Sequence, residues 1–298
     1  MNRIEERAPA KINLHLDVIG RRSDGYHRLE TIMQSISLYD RLLVAANKNM
    51  EDRIKLEVRK KKLPADRDNL VWQAASLMMN KFDVVKPGLE IVLDKRIPVA
   101  AGLAGGSTDA AAVLRAVNRL FDLGLSRSGL EKLGAELGAD VPFCISGGTA
   151  LARGAGEKIT PLSPLLKQPL VLVKPPFSVS TRQIFAEVSG RVDRDGASAS
   201  ELAELIEKGA SISWQEGWHN ALESFTCRLY PRVYEIKEKL ESFDPLHVQM
   251  TGSGPTVMAF FDKMRRAEEV KKIWSREDDE VYAVEFIQGL ERQKRLIF

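Results

Sequence analysis

Between Pro98 and Asp109 the chain reads Pro-Val-Ala-Ala-Gly-Leu-Ala-Gly-Gly-Ser-Thr-Asp and then runs directly into alanine-rich sequence. Glycine and alanine let a backbone turn tightly and approach a ligand closely. Successive N–H groups at a helix start, reinforced by the helix dipole, form a site for an anion such as phosphate. Ser107 and Thr108 add hydroxyls that could touch phosphate or a bound Mg²⁺. Three glycines and two hydroxyls in one turn exceed what turning a chain requires. The segment is not a P-loop, because the Gly-Lys-Ser/Thr ending is missing. The protein-kinase signatures are absent too, and the glycine spacing does not fit a dinucleotide fold. Nucleotide-phosphate binding is the chemistry that suits it.

Two charged residues far apart in sequence suit the same chemistry. Asp140 lies in Gly138-Ala-Asp-Val-Pro-Phe143, between a helix end and a proline, where an aspartate often only caps a turn. Lys11 lies on the polar side of an alternating strand, where a lysine is usually solvated. Brought together, a carboxylate and an ammonium could handle an acceptor hydroxyl during phosphoryl transfer. A third segment, Thr251-Gly-Ser-Gly-Pro-Thr256, could turn three backbone amides toward an anion, although ordinary hairpins use the same residues. His15, His219 and His247 have no ligand spacing and read as structural, and the Trp214–Trp218 pair reads as packing.

The elements that must position these residues follow from periodicity. Ile12, Leu14, Leu16 and Val18 alternate with Lys11, Asn13, His15 and Asp17, which predicts a half-buried strand over 10–19 with a turn at Arg21–Gly25. Further strands are expected at 53–59, 89–96 and 170–174, and a strand pair near 246–261. Helices are expected at 69–82, 106–121 and 128–137, the last capped by Ser128 with Glu131, then at 181–188, 199–208 and 229–241. A final helix and strand end the chain. Interleaved elements without regular βαβ units point to an α+β fold. The proline-rich stretch from Pro161 to Pro176 divides it into domains at 1–160 and 161–298, with a return of the last strand to the first domain left open. Alanine adopts positive φ only at a cost, so Ala100, Ala101 and Ala104 are expected at negative φ.

With 44 basic and 41 acidic side chains in 298 residues, the formal charge of +3 does not demand a nucleic-acid partner. The run Arg59–Lys62 reads as a solvated strand end before the turn at Pro64. Cys144 and Cys227 provide neither metal-ligand spacing nor a disulfide framework, which suits a reducing cytoplasm. No apolar run reaches the roughly 20 residues of a membrane helix.

Taken in order, Pro9-Ala-Lys-Ile-Asn13, the Pro98–Asp109 loop and Thr251-Gly-Ser-Gly-Pro255 resemble the GHMP kinase superfamily, named for galactose, homoserine, mevalonate and phosphomevalonate kinases. Gly20-Arg-Arg-Ser-Asp-Gly-Tyr-His27, Gly138–Phe143, Thr181-Arg-Gln-Ile-Phe185 and Asn220-Ala-Leu-Glu223 narrow the resemblance to the branch that phosphorylates a cytidine diphosphate conjugate of a methylated erythritol. The resemblance implies a two-domain fold with an inter-domain active site, and transfer from ATP with Mg²⁺ to the 2-hydroxyl in isoprenoid-precursor synthesis. It implies Asp140 and Lys11 as the catalytic pair and Asn13 as placing the acceptor. Tyr26 and Phe185 would stack on the cytosine, His27 would read its edge through its backbone, and Thr181 would support the substrate. ATP would lie on Pro98, Val99, Ala100, Ala101, Gly102, Leu103, Ala104, Gly105, Gly106, Ser107 and Thr108, with Lys95 and Asn69 lining its pocket. No carboxylate partner to Ser107 stands out, so the metal ligands stay unassigned, as does the oligomeric state. A homoserine- or mevalonate-type kinase and a catalytically silent ligand sensor of the same fold remain the alternatives. The aromatic residues argue against the first, and the presence of Lys11 and Asp140 against the second.

Overall fold

The computed structural model describes residues 3–21, 23, 25, 27–50, 53–84, 87–188, 192, 196–210, 214, 217–274, 278–289 and 295–296. Its N-terminal part is built on two long antiparallel strands, β1 (Arg3–Arg21) and β2 (His27–Asn47). The outer edge of β2 serves two partners. Residues 41–47 pair with β4 (Gly88–Asp94), which carries the parallel β3 (Ile54–Arg59). Residues 29–34 pair with β5 (Thr149–Gly154), followed by β6 (Lys158–Pro161). Four helices cover one face: α1 (Leu70–Lys81), α2 (Gly105–Leu120), α3 (Arg127–Ala135) and α4 (Val141–Ser146).

Local chemistry sets the helix starts. Asn69 caps α1 by accepting the Val71 N–H at 3.0 Å. The alanines of α2 let it sink into the core, and Ala110, Ala111, Ala112, Leu114 and Ala116 are fully buried. The cap of α3 is Ser126, whose hydroxyl accepts the Gly129 N–H, and not Ser128. Glu131, expected to close a box with Ser128, instead accepts a hydrogen bond from Ser146 at the end of α4.

The C-terminal part carries a four-stranded antiparallel sheet in the order β10-β7-β9-β8, from β7 (Pro169–Lys174), β8 (His247–Met250), β9 (Val257–Phe260) and β10 (Glu280–Glu285). Its helices are α5 (Thr181–Glu187), α6 (Ala199–Glu207), α7 (Glu223–Leu229), α8 (Pro231–Glu241) and α9 (Met264–Ile273). A reciprocal capping box between Ser198 and Glu201 starts α6. The chain then returns to the first sheet, where β11 (Arg295–Leu296) pairs with β1.

The two parts share a core in which Ile12, Leu14 and Ile36 meet Leu170, Leu172, Phe260 and Phe286. Phe260 and Phe286 stand edge to face with ring centres 6.1 Å apart. Truncating such a ring costs about 3–5 kcal/mol, so this core holds the halves in register. β1 also bonds the C-terminal part directly. Leu16 donates its N–H to His219 O at 2.8 Å, and Ala221 donates to Leu16 O at 2.9 Å. Because β1 is covered on both sides, its polar face is not the half-exposed one that alternation predicts. Lys11, Asn13, His15 and Asp17 are all at least 96% buried. Buried polar side chains need partners, and the partners of these four shape the site.

Candidate active site

A cleft of about 570 Å³ opens between the two parts. One wall is the segment from Ile97 to the first turn of α2. Pro98, Val99, Ala100, Ala101, Gly102, Ala104, Gly105, Gly106 and Ser107 all line the cleft. Val99, Ala100 and Gly106 are exposed. The backbone here departs from the expectation for alanine: Ala100 has φ 50° and Ala104, the residue preceding α2, has φ 54°. Both therefore adopt left-handed geometry at an energetic cost, and Gly102 at φ 75° joins them. Leu103 and Thr108 turn inward instead. Leu103 is buried and its carbonyl accepts the Lys11 N–H at 3.2 Å. The Thr108 hydroxyl is spent on Pro9 O at 2.8 Å, which leaves Ser107 as the hydroxyl facing the cleft.

The second glycine segment, Thr251–Pro255, backs the first. A side chain on Gly102 would meet Thr251 O at 2.7 Å, so only glycine permits the two loops to touch. Two amides of this segment are consumed in its own turn, Thr251 N–H by Thr256 O and Gly254 N–H by Thr251 O, each at 3.0 Å. Those two amides are thereby withdrawn from the anion nest expected here, while Gly252 and Ser253 line the cleft. Asn220 holds the turn from behind by donating to Met250 O and Gly252 O at 2.7 and 3.0 Å.

Lys11 and Asp140 come together on the floor of the cleft. Lys11 Nζ is 3.5 Å from Asp140 Oδ2 and donates to Asn13 Oδ1 at 2.7 Å. Asp140 precedes α4 yet makes no capping bond, and its carboxylate is 33% exposed toward the cleft. The turn-capping reading is thus set aside, and so is a solvated Lys11. Asn13 is fixed by three neighbours, because its Nδ2 donates to Thr31 Oγ1 at 2.8 Å and its N–H to Thr251 Oγ1 at 2.8 Å.

On the C-terminal side Thr181 and Phe185 line the cleft, and Thr181 shares a 2.8 Å hydrogen bond with Ser253. His27 lies behind Phe185 rather than on the cleft. Its ring stacks on the phenyl ring with centres 5.1 Å apart, and its Nε2–H donates to Val188 O at 3.0 Å. Tyr26 lies outside the described residues.

Lys95 and Asn69 also line the cleft but have their polar atoms engaged. Asn69 donates to Pro64 O while capping α1. Lys95 Nζ lies 2.5 Å from Asp40 Oδ2 and 2.7 Å from Asp109 Oδ2. Burial pushes the Asp109 carboxyl well above the usual carboxylate range, against the pull of Lys95. The other Asp109 oxygen, Oδ1, is buried without a partner, and Asp109 lines the cleft. Sequence reasoning assigned no role to Asp40, Asp109 or Thr31. Asp109 directly follows the glycine segment and could have been found there, whereas Asp40 carries no local signal. Among the described residues no group of three or more His, Cys, Asp or Glu could hold a metal ion, and no helix is long and apolar enough to cross a membrane.

Comparison with known proteins agrees with this geometry. Residues 69–148 match the GHMP kinases N-terminal domain and residues 198–279 the GHMP kinases C-terminal domain. A 4-diphosphocytidyl-2-C-methyl-D-erythritol kinase of Clostridium botulinum is 45% identical over 262 residues, 88% of this chain and 92% of that protein. The kinase of the same name from Shouchella clausii is 44% identical over 282 residues, 95% and 94% of the two chains. A crystal structure of a 4-(cytidine 5'-diphospho)-2C-methyl-D-erythritol kinase superposes with a TM-score of 0.79 at 33% identity, covering 95% of this chain and 99% of that one. The chain belongs to the GHMP kinases and, within them, to the family of 4-diphosphocytidyl-2-C-methyl-D-erythritol kinases.

Proposed function

We propose that the protein transfers the γ-phosphoryl group of ATP to the 2-hydroxyl of 4-diphosphocytidyl-2-C-methyl-D-erythritol, a step of the non-mevalonate route to isoprenoid precursors carried out in the cytoplasm. The observation that carries this reading is the Lys11–Asp140 pair, 3.5 Å apart, on the floor of the cleft whose wall is the exposed glycine loop.

The α2 N-terminus and the loop amides take the phosphates of ATP, where aligned N–H dipoles favour negative charge. The acceptor hydroxyl sits between Asp140 and the γ-phosphorus. Its proton passes to the Asp140 carboxylate as its oxygen bonds to phosphorus, and the bond from phosphorus to the β–γ bridging oxygen breaks to release ADP. Lys11, steered by Asn13, offsets charge on the group in transit. Phe185 supplies a face for the cytosine, braced from behind by His27, and Thr181 supports the substrate beside it. Magnesium bound with the nucleotide supplies charge neutralisation. The protein oxygens that fit so hard a cation are the Ser107 hydroxyl and the partnerless Asp109 Oδ1.

A coupled assay for ADP release, offering 4-diphosphocytidyl-2-C-methyl-D-erythritol, homoserine and mevalonate in parallel, tests the proposal. Turnover with the first compound alone is expected. Turnover with homoserine or mevalonate and none with the cytidine conjugate would overturn it.

A further inference from the structure

Three ionisable side chains meet at the two ends of the glycine loop, and the phosphoryl-transfer chemistry uses none of their mutual contacts. Asp40, Lys95 and Asp109 are exposed by only 0%, 3% and 2%. They come from three separate places: β2, the residue after β4, and the first turns of α2. Asp40 engages both of its oxygens. Oδ1 accepts the backbone N–H groups of Arg96 and Ile97, and Oδ2 accepts from Lys95 Nζ. Lys95 passes the connection on to Asp109 Oδ2 at 2.7 Å.

These contacts fall at the two ends of one segment. Arg96 and Ile97 are the residues just before Pro98, where the loop begins. Asp109 lies one turn into α2, where the loop has ended. Between them Ala100 and Ala104 hold positive φ, a geometry that persists in alanine only when its surroundings impose it. The Lys95 ammonium also fills the space under the helix start, since a Cβ on Gly105 would come within 2.9 Å of Nζ.

We propose that Asp40 is a positioning residue for nucleotide binding, fixing the glycine loop by holding its first end directly and its second end through Lys95. Lys95 then acts by shaping the loop from behind, not by touching the nucleotide. The inference rests on the reading that this loop binds ATP.

Steady-state kinetics of Asp40→Asn, Lys95→Met and the double variant test it. Loss of charge-assisted hydrogen bonds at the loop ends should raise the ATP KM by about tenfold or more, with the acceptor KM within about twofold of wild type. The double variant should be no worse than the worse single one, because the two residues act as one unit. If the double variant instead multiplies the single losses, Lys95 contacts nucleotide independently and the proposal falls. It falls as well if Asp40→Asn lowers Tm and kcat while leaving both KM values unchanged. Should Asp40→Asn fail to fold, Lys95→Met carries the test through hydrogen exchange without nucleotide. Faster exchange at the amides of 105–109 is expected, and unchanged exchange overturns the idea. Gly106→Val, which fills the cleft side of the loop, separates this failure from failure of the functional reading. If it leaves the ATP KM untouched, the loop is not the nucleotide site and both ideas fall. If it raises the ATP KM while Asp40→Asn does not, the positioning role alone is wrong.

Discussion

The two glycine loops that meet at the cleft have similar residues and opposite burial. In the Pro98–Ser107 loop Val99, Ala100 and Gly106 are exposed, and every residue but Leu103 lines the cleft. In the Thr251–Pro255 loop every residue is buried, and two amides are consumed within the turn. The first loop is tied down at its ends and at Leu103, and is exposed at Val99, Ala100 and Gly106. The second is braced from behind by Asn220 and presses against the first at Gly102. A loop that lines the cleft and the buttress that holds it thus use the same amino acids. What separates them is where their backbone hydrogen bonds go.

The largest expected effect lies between the two walls. Asp140→Asn keeps the shape of the carboxylate and removes its charge, so kcat should fall by about 10²–10⁴-fold while both substrates still bind. A variant within a few-fold of the wild-type kcat, measured at saturating substrates, would remove Asp140 from the chemistry. The second effect tests whether the C-terminal wall serves only the acceptor. Phe185→Ala should raise the KM for the cytidine conjugate by roughly 5–150-fold, the value of one base–aromatic stack. The ATP KM should stay put. Equal damage to both KM values, with a large drop in Tm, would make Phe185 a core residue.

Smaller effects probe the contact between the loops. Gly102→Ala places a methyl group within 2.7 Å of Thr251 O at a left-handed position, so it should cost about 1–3 kcal/mol of stability in thermal unfolding. It should also raise both KM values, since the walls can no longer close on each other. An unchanged Tm would mean that the loops do not depend on one another. Ala104→Gly should do least. Relief of about 1 kcal/mol of left-handed strain is set against a similar gain in unfolded-chain entropy, so the net stability change should lie within about 1 kcal/mol of zero. A large destabilisation would show that the Ala104 methyl group packs usefully in the loop.

Much of the site was legible from the amino acids because the relevant signals are local. The glycine loop, the start of α2 and the hydroxyl of Ser107 form one continuous stretch, and helix starts follow short capping rules. The expected helices at 69–82 and 106–121 match α1 and α2 to within a residue at each end. Where a local rule offered two nearby candidates, as with Ser126 and Ser128, the sequence chose the wrong one. The strands β2, β5 and β6 and the short helices α4 and α7 were not foreseen. In β2 the residues from Thr31 to Ser35 are all buried, so no alternation marks them as a strand.

By itself the sequence determined the fold family, the glycine loop at the start of α2 and the residue types able to move a proton. Those depend on backbone freedom, helix dipoles and side-chain chemistry within a few positions of one another. The tertiary structure decided which polar groups face the cleft and which are spent on structural contacts. It placed Lys11 beside Asp140 across 129 positions of chain, turned Thr108 away toward Pro9, and engaged Lys95 with Asp40. It also held Ala100 and Ala104 in a conformation that alanine alone disfavours. The physical reason is that a buried polar group must find a partner, and the partner available is set by packing between elements distant in the chain.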